Sequence, residues 1–341
     1  MFSRILGQER AKRFLKQAMS REKIPHAYLF TGISGVGKTS TAMALATALN
    51  CQEPVDYEGC GQCLPCRQMV SGNFPDFLII KPEGQNIRIH QIRDLNRSFS
   101  FAPALGRYRV CIIYQAETMT MEAANSFLKA LEEPPPGNIL ILNATEPLDL
   151  LPTIVSRCQK VPFQPLMLQD MTDWLVKSRG LDQETAMALA SISGGSLGLA
   201  LKMCDGDFLD KRQEWLLRLM KLVGFSKEKA LDVAFECARE DRKKALGIPE
   251  SGEPGLRDML SVWESWYRDL LVLKVGGPEE LIINQDFSHK LKKTTESFKI
   301  DNLIDSLLAI EQSQQDLRRM RNTQLAMEHM VMSLNSLGRS G

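Results

Sequence analysis

The feature that most constrains the fold of this chain is a glycine-rich segment, GISGVGKT, at residues 32–39. It follows a short apolar run, AYLFT (27–31), and precedes a stretch of strong helix formers, KTSTAMALATALN (38–50). Glycines in such a segment let backbone N–H groups converge on phosphate oxygens at a helix N-terminus, whose dipole favours negative charge. The segment therefore predicts a phosphate-binding loop between a strand and a helix rather than an incidental turn.

The residues predicted to contact nucleotide phosphates belong to this loop and to the first turn of the helix. They are Gly32, Gly35, Val36, Gly37, Lys38, Thr39 and Ser40. In a loop of this pattern the lysine, here Lys38, reaches the β- and γ-phosphates, and the hydroxyl of Thr39 binds Mg²⁺.

Strands and helices alternate along the first half of the chain. Three further β-rich runs follow the loop, namely FLII (77–80), RVCII (109–113) and ILILN (139–143), and a helical pattern at 122–133 separates the last two. Because parallel strands need crossover connections, this alternation predicts a parallel sheet with helices on both faces, an α/β fold.

From about residue 165 the pattern becomes entirely helical. Three short helices are predicted up to residue 207, and longer ones follow, with a loop at 247–255. Apolar residues at three- and four-residue steps mark buried helix faces at 256–270 and 303–317. We predict a nucleotide-binding domain at 1–165, a small helical lid domain at 166–207 and a larger helical domain at 208–341.

Composition excludes several classes of protein. The 341 residues suit two or three domains, and the net charge of +1 gives no overall field for coating nucleic acid or a membrane surface. The sequence has no apolar run of the roughly 20 residues that span a bilayer and no signal peptide at its charged N-terminus. We therefore predict a cytoplasmic protein without a membrane partner.

Four of the eight cysteines are clustered. Cys51, Cys60, Cys63 and Cys66 have the spacing C-x₈-C-x₂-C-x₂-C. In a reducing compartment this spacing favours a structural zinc site, and the alternatives are an iron–sulfur cluster or four reduced cysteines. A closed four-thiolate site leaves no position for an activated water, so no catalytic role is expected. The acidic segment around the cysteines also argues against a DNA-binding module.

Four segments, taken in their order along the chain, resemble those of a known protein family. These are IPHAYLFTGISGVGKT, the cysteine insertion, NSFLKALEEPPPGNILILNATEP and LPTIVSRCQKVPF. Together they resemble the bacterial DNA polymerase III clamp-loader subunits of the AAA+ ATPase superfamily. The resemblance spans nearly the whole chain, since the helical tail resembles the collar domain by which these subunits assemble. It implies an AAA+ domain with a zinc module at 51–66, a lid domain and an all-α collar domain.

Within that family the chain departs from the ATP-hydrolysing tau/gamma motor subunit. After RVCII the motor has Asp-Glu, and this chain has Tyr114 and Gln115. Loss of a general base typically costs about 10²–10⁴-fold in rate, so hydrolysis is expected to be weak or absent, with weak Mg²⁺ dependence of any bound ATP or ADP. The alternative is an active motor in which Gln115 or Glu117 replaces the acids; the turn position of Glu117 argues against that substitution.

Three further positions follow from the resemblance. Gly198 stands where the motor has the lid arginine that senses the γ-phosphate, whereas Thr145 falls at the other phosphate sensor. Arg157, in Ser-Arg-Cys, matches the arginine that is offered in trans to ATP bound by a neighbouring subunit, as an alternative to an ordinary salt bridge. The pattern indicates a non-hydrolysing subunit that stimulates a neighbour.

The resemblance also implies partners. These are the tau/gamma motor subunits and the delta subunit of a pentameric clamp loader and, through the complex, the sliding clamp and primed DNA. As a component of a DNA polymerase holoenzyme, a nucleotidyltransferase, the chain would have no polymerase chemistry of its own. A purely structural helical scaffold is the remaining alternative, and the well-formed phosphate loop argues against it.

Overall fold

The parts of the chain described by the computed structural model are residues 1–132, 134–205, 207–246, 255–318 and 322–338. The chain divides into two compact units. The first contains Met1–Met171 and Gly195–Gly198, and the second contains Thr172–Gly194 and Leu199–Gly341. Most of the predicted loop at 247–255 lies outside the described residues.

The first unit contains a parallel sheet of five strands. They are β1 (Ala27–Thr31), β2 (Phe77–Ile80), β3 (Arg109–Ile113), β4 (Asn138–Ala144) and β5 (Gln159–Pro162). The spatial order is β2-β3-β4-β1-β5, and every neighbouring pair is parallel. The predicted α/β fold class is confirmed, and four of these strands coincide with the predicted runs; β5 was not predicted as a strand.

Burial follows position in the sheet. All residues of β1, β3 and β4, the three inner strands, are buried, whereas the edge strands β2 and β5 are partly exposed. Strands covered on both faces need continuous apolar sequence, and an edge strand tolerates the lysine and proline of β5. The carboxyl ends of the inner strands therefore form a fixed edge at which side chains can be positioned.

Helices complete the first unit. They are α1 (Glu9–Ser20), α2 (Lys38–Asn50), α3 (Leu64–Ser71), α4 (Ile89–Phe99), α5 (Met121–Glu132) and the single turn α6 (Pro152–Val155). Phe127 and Leu131 of α5 pack in one apolar core with Ile113 of β3 and Leu140 of β4. Prolines at 134–136 follow α5, as expected where a helix must stop.

The remaining helices are α7 (Leu168–Arg179), α8 (Gln183–Ile192), α9 (Leu197–Cys204), α10 (Phe208–Leu222), α11 (Lys227–Leu246), α12 (Leu256–Lys274), α13 (Ser288–Thr295), α14 (Ile300–Arg318) and α15 (Thr323–Leu337). The apolar stripe predicted on α12 is buried, and Trp263 Nε1 donates to Trp215 O at 3.0 Å. No described helix is long and apolar enough to cross a membrane. The division into lid and collar domains stays a prediction.

Candidate nucleotide site and metal centre

The phosphate loop connects β1 to α2, as the sequence predicts. Gly32, Gly35 and Gly37 have φ angles of +139°, +76° and +104°, which L side chains rarely adopt. Gly37 is the N-cap of α2, Val36 is buried, and Ser40 is exposed in the first turn of the helix. The loop is therefore shaped by its glycines, and it places the N-terminus of α2 at the carboxyl edge of the sheet.

Lys38 lies inside this loop. Its Nζ donates to the carbonyl oxygen of Gly32 and, at 2.9 Å, to that of Ile33. Burial lowers the pKa of Lys38, and attraction to Glu117 partly opposes that effect. A partly buried ammonium that uses only neutral carbonyls is suited to exchange them for phosphate oxygens, which would favour its charged form.

A polar group at the ends of β3 and β4 faces the same site. Asn143 Nδ2 donates to Thr39 Oγ1 at 3.2 Å, and Thr145 Oγ1 donates to Glu117 Oε1 at 3.1 Å. Asn143 Oδ1 and Glu117 Oε2 are buried and have no hydrogen-bond partner among the described residues. Unpaired buried oxygens are rare in folded proteins, so these two atoms are suited to a bound ligand, water or cation.

Glu117, which its position in a turn argued against as a substitute for the missing acids, brings a carboxylate to this site. It lies in a 3₁₀ turn, Ala116–Thr118, after a left-handed Gln115 with a φ of 48°. Tyr114 and Gln115 stand where the resemblance implies acids in the motor subunit, and neither has a carboxylate. The ring centroid of Tyr114 lies 5.3 Å from Lys81 Nζ, and Gln115 is exposed. The nearest acid is thus two residues beyond Gln115, in contact with the predicted sensor Thr145.

The turn at the start of α9 contacts the phosphate loop. Gly198 N donates to Gly35 O at 2.9 Å, and Ser196 Oγ donates to Ser34 O at 2.7 Å. A Cβ built on Gly198 would lie 2.8 Å from Gly35 Cα, closer than real Cβ contacts. At this position, where the resemblance implies an arginine in the motor subunit, backbone packs directly against the phosphate loop.

The four clustered cysteines come together. Their four sulfur atoms all lie within 4.8 Å of one another, and they belong to Cys51, Cys60, Cys63 and Cys66. Cys51 Sγ is 3.9 Å from Cys63 Sγ. Tetrahedral zinc with Zn–S bonds of about 2.3 Å requires sulfurs about 3.8 Å apart, so the donor set fits. Backbone N–H groups of Cys63 and Gln62 lower the pKa of Cys60 to about 6, whereas burial raises that of Cys66 to about 12. The arrangement can hold a metal ion.

Arg157 follows α6 and precedes the edge strand β5. Its Nη2 donates to Glu132 Oε1 at 2.8 Å and its Nη1 to Thr153 O at 3.0 Å. The side chains of the ion pair are 37% and 50% exposed, so the interaction is screened by water. The salt bridge anticipated as an alternative is present, and its exposure leaves Arg157 accessible to an external anion.

Fold and site together define a class: a P-loop domain on a parallel sheet, followed by helices, with a four-cysteine module inserted after the phosphate-loop helix. A family described as "DNA polymerase III, delta subunit" matches residues 7–167. The DNA polymerase III subunit delta' of Bacillus subtilis (strain 168) is 30% identical over 331 residues, covering 96% of both chains. The chain therefore belongs to the delta' family of DNA polymerase III clamp-loader subunits.

Two other comparisons concern subunits other than delta'. DNA polymerase III subunit tau of Bacillus subtilis (strain 168) is 28% identical over 98% of this chain and 61% of its own length. A solved structure of a DNA polymerase III gamma subunit-related protein from Thermotoga maritima is 22% identical, with a TM-score of 0.44, and covers 96% of this chain and 99% of its own. A tau subunit of DNA polymerase III is thus also similar to this chain in sequence.

Proposed function

We propose that this chain completes the ATP site of a neighbouring motor subunit in a pentameric clamp loader and hydrolyses little or no ATP itself. It would act in the cytoplasm, with tau/gamma and delta subunits, in the ATP-dependent loading of the sliding clamp on primed DNA. The observation that carries the proposal is Arg157, which is held beside an edge strand by an exposed ion pair with Glu132 and one backbone carbonyl, that of Thr153. Tyr114 and Gln115 occupy the positions at which the resemblance implies acids in the motor subunit.

The loop supports nucleotide binding without hydrolysis. Its backbone and Lys38 suit the phosphates of ATP or ADP, and Thr145 remains at the carboxyl edge of the sheet. A bound nucleotide would then act as a static ligand. The cysteine module would hold a structural zinc ion beyond the other end of α2.

The decisive experiment compares Arg157→Ala with Lys160→Ala in a clamp loader reconstituted from all subunits. Lys160 is an exposed cation on β5 and serves as the control. An arginine supplied in trans is worth about 10³–10⁵-fold at the site that it serves. Because the other sites keep their own arginines, we expect a partial loss of total ATP hydrolysis and a strong loss of clamp loading with Arg157→Ala alone.

Two outcomes would contradict this role. Equal hydrolysis by the two variants would remove Arg157 from the mechanism. Failure of Arg157→Ala to enter the complex would instead indicate a structural role for its ion pair with Glu132, and size-exclusion chromatography of the assembled complex distinguishes the two cases.

One observation favours the second candidate function, an active tau/gamma-type motor. Glu117 lies against Thr145 and within electrostatic reach of Lys38, so a carboxylate is present in the site. ATP turnover by the isolated chain discriminates: about one event per second that disappears in Lys38→Ala supports a motor. Absence of turnover supports the non-hydrolysing role.

A further inference from the structure

The first eight residues form a connection between the cysteine module and the phosphate loop. We call residues 1–8 the N-terminal strap. Phe2 anchors it, since its side chain is only 1% exposed. One end of the strap contacts residue 58 of the module, and the other contacts residues 36 and 37 of the loop.

At the module end the strap is held by Glu58. The carboxylate accepts hydrogen bonds from Ser3 N at 3.1 Å and Ser3 Oγ at 3.0 Å. Lys16 of α1 lies 3.4 Å from the same carboxylate and 2.7 Å from Asp56. Glu58 stands two residues before Cys60, so closing the four cysteines around an ion also fixes this anchor.

At the loop end the strap touches the phosphate loop directly. Gln8 Nε2 donates to Val36 O at 3.3 Å and to Gln164 O at 2.7 Å, and Gln164 N donates back to Gln8 Oε1 at 3.1 Å. Ile5 packs over Gly37, because a Cβ built there would lie 3.6 Å from Ile5 Cγ2. The strap therefore braces the backbone that would hold phosphates.

Helix α2 provides a second connection. It begins at Lys38 in the loop and ends at Asn50, next to Cys51. Near its end, Thr47 packs against Gly59, where an added Cβ would lie 2.8 Å from Thr47 Cγ2. The module and the loop are thus joined by two ordered connections, the strap and α2. Opening of the module would remove the contacts of Glu58 with Ser3 and of Gly59 with Thr47, which hold the module ends of these connections.

We propose that filling the four-cysteine site with zinc strengthens nucleotide binding at the phosphate loop, with Glu58 and Gln8 as the positioning residues that couple the two sites. The proposal rests on the nucleotide and metal binding proposed above. A bound metal would hold the four cysteine sulfurs together against local opening, and that added order would extend to the segments anchored to the module. Because coupling is reciprocal, bound nucleotide also slows the loss of zinc.

The test measures the affinity of the full chain for a fluorescent N-methylanthraniloyl-ADP in zinc-loaded and zinc-free forms, with zinc content checked by native mass spectrometry. The zinc-free form is prepared with a chelator under reducing conditions. We expect the zinc-loaded chain to bind about tenfold more tightly, within the usual range of coupling between sites. Equal affinities of the two forms would overturn the proposal.

Variants separate coupling from general damage. Glu58→Ala and Gln8→Ala are expected to bind zinc normally but to lose the tenfold difference between forms. Glu53→Ala is the matched control, because Glu53 is an exposed acid of the same module, and it should retain the difference. A merely structural role would lower affinity equally in both forms, so an unchanged ratio in Glu58→Ala would also refute the proposal.

The same data separate this failure from those of its premises. Absence of zinc from protein purified without chelator refutes the metal site itself. Absence of nucleotide binding in both forms refutes the proposed nucleotide site. Binding of both ligands without a change in affinity refutes only the coupling.

Discussion

A single buried carboxylate organises the loop before β3. Asp76 is fully buried and accepts hydrogen bonds from the backbone N–H groups of Ala104, Leu105 and Gly106 at 2.7–2.8 Å. Arg109, the first residue of β3, donates to it at 3.1 Å. Burial would raise the pKa of Asp76, but these donors outweigh it and the pKa is lowered. The charged form is therefore stabilised by folding.

Replacing this group should destabilise the protein in a pH-dependent manner. We expect Asp76→Asn to lower the free energy of unfolding at pH 7 by roughly 3–5 kcal/mol, since it leaves the buried Arg109 with carbonyl acceptors but no opposite charge. Because the folded pKa lies below the unfolded value of about 4, the wild-type advantage is complete above that pH and shrinks as the pH falls below it. Urea unfolding at several pH values measures the difference.

The exposed acid Asp94 gives a control for Asp76. Its side chain is 68% exposed, so Asp94→Asn should change stability by less than about 0.5 kcal/mol at any of these pH values. A gap between wild type and Asp76→Asn that stays constant down to pH 3 would show that the carboxylate charge is not responsible.

Gly198 makes a second prediction for one residue. Gly198→Ala would force its Cβ to within 2.8 Å of Gly35 Cα, so the phosphate loop or its bracing turn must move. We expect a loss of about 1–3 kcal/mol of stability and weaker binding of a fluorescent ADP. Gly224→Ala is the control, because its Cβ would meet only an ordinary contact at 3.6 Å. Indistinguishable melting and binding of the two variants would contradict the close approach.

At the scale of the element, α14 shows where apolar periodicity predicts buried residues correctly and where it does not. Leu303 and Ile310 are buried as predicted, but Leu307 and Leu317 are only half-buried. Ser306 and Ser313 complete the buried face instead, and Ser306 Oγ donates to Asn302 O at 2.7 Å. Small hydroxyl side chains that bond to their own helix are compatible with close packing, and a pattern that counts only apolar residues misses them.

The same helix exposes apolar residues on another face. Ile300, Ile304 and Leu308, at four-residue steps, are 42%, 42% and 56% exposed. If the predicted collar domain assembles through this face, Ile304→Gln should leave the thermal stability of the isolated chain within about 0.5 kcal/mol of wild type and weaken its association with partner subunits. Calorimetry and size-exclusion chromatography measure these two effects.

Phe235→Gln is the control for Ile304→Gln. Phe235 is 50% exposed on α11, away from this stripe in sequence, and the substitution should not affect association. Equal association of both variants and wild type would exclude the face of α14 from assembly.

Sequence predicted the elements with strong local signals and missed those set by distant contacts. β1 and β4 are long apolar runs, so their sequence alone identifies them. β5, QKVP, buries only Val161, and it is a strand because it pairs with β1 more than 120 residues earlier. In the site, the loop and the cysteines have fixed local spacing, whereas the Glu117 contact with Thr145 and the Gln8 contact with Val36 have no such spacing to reveal them.

At the scale of the whole molecule, the order of the strands determines when the phosphate loop can form. β1 is an inner strand whose two neighbours are β4 and β5, so Tyr28 aligns with Ile141 and with Gln159. Gln8 likewise finds its partner at Gln164. A chain emerging from the ribosome at about 5–20 residues per second must therefore hold β1 unpaired for several seconds.

The cysteine module does not share this delay. Its four cysteines span only residues 51–66, so they can come together while β4 and β5 have yet to be synthesised. Loop closure over so short a distance is also entropically cheap. During synthesis the cysteine module can therefore become ordered while the apolar strand β1 still lacks its partners. β1 then stays exposed to chaperones and to aggregation until residue 164 has left the ribosome.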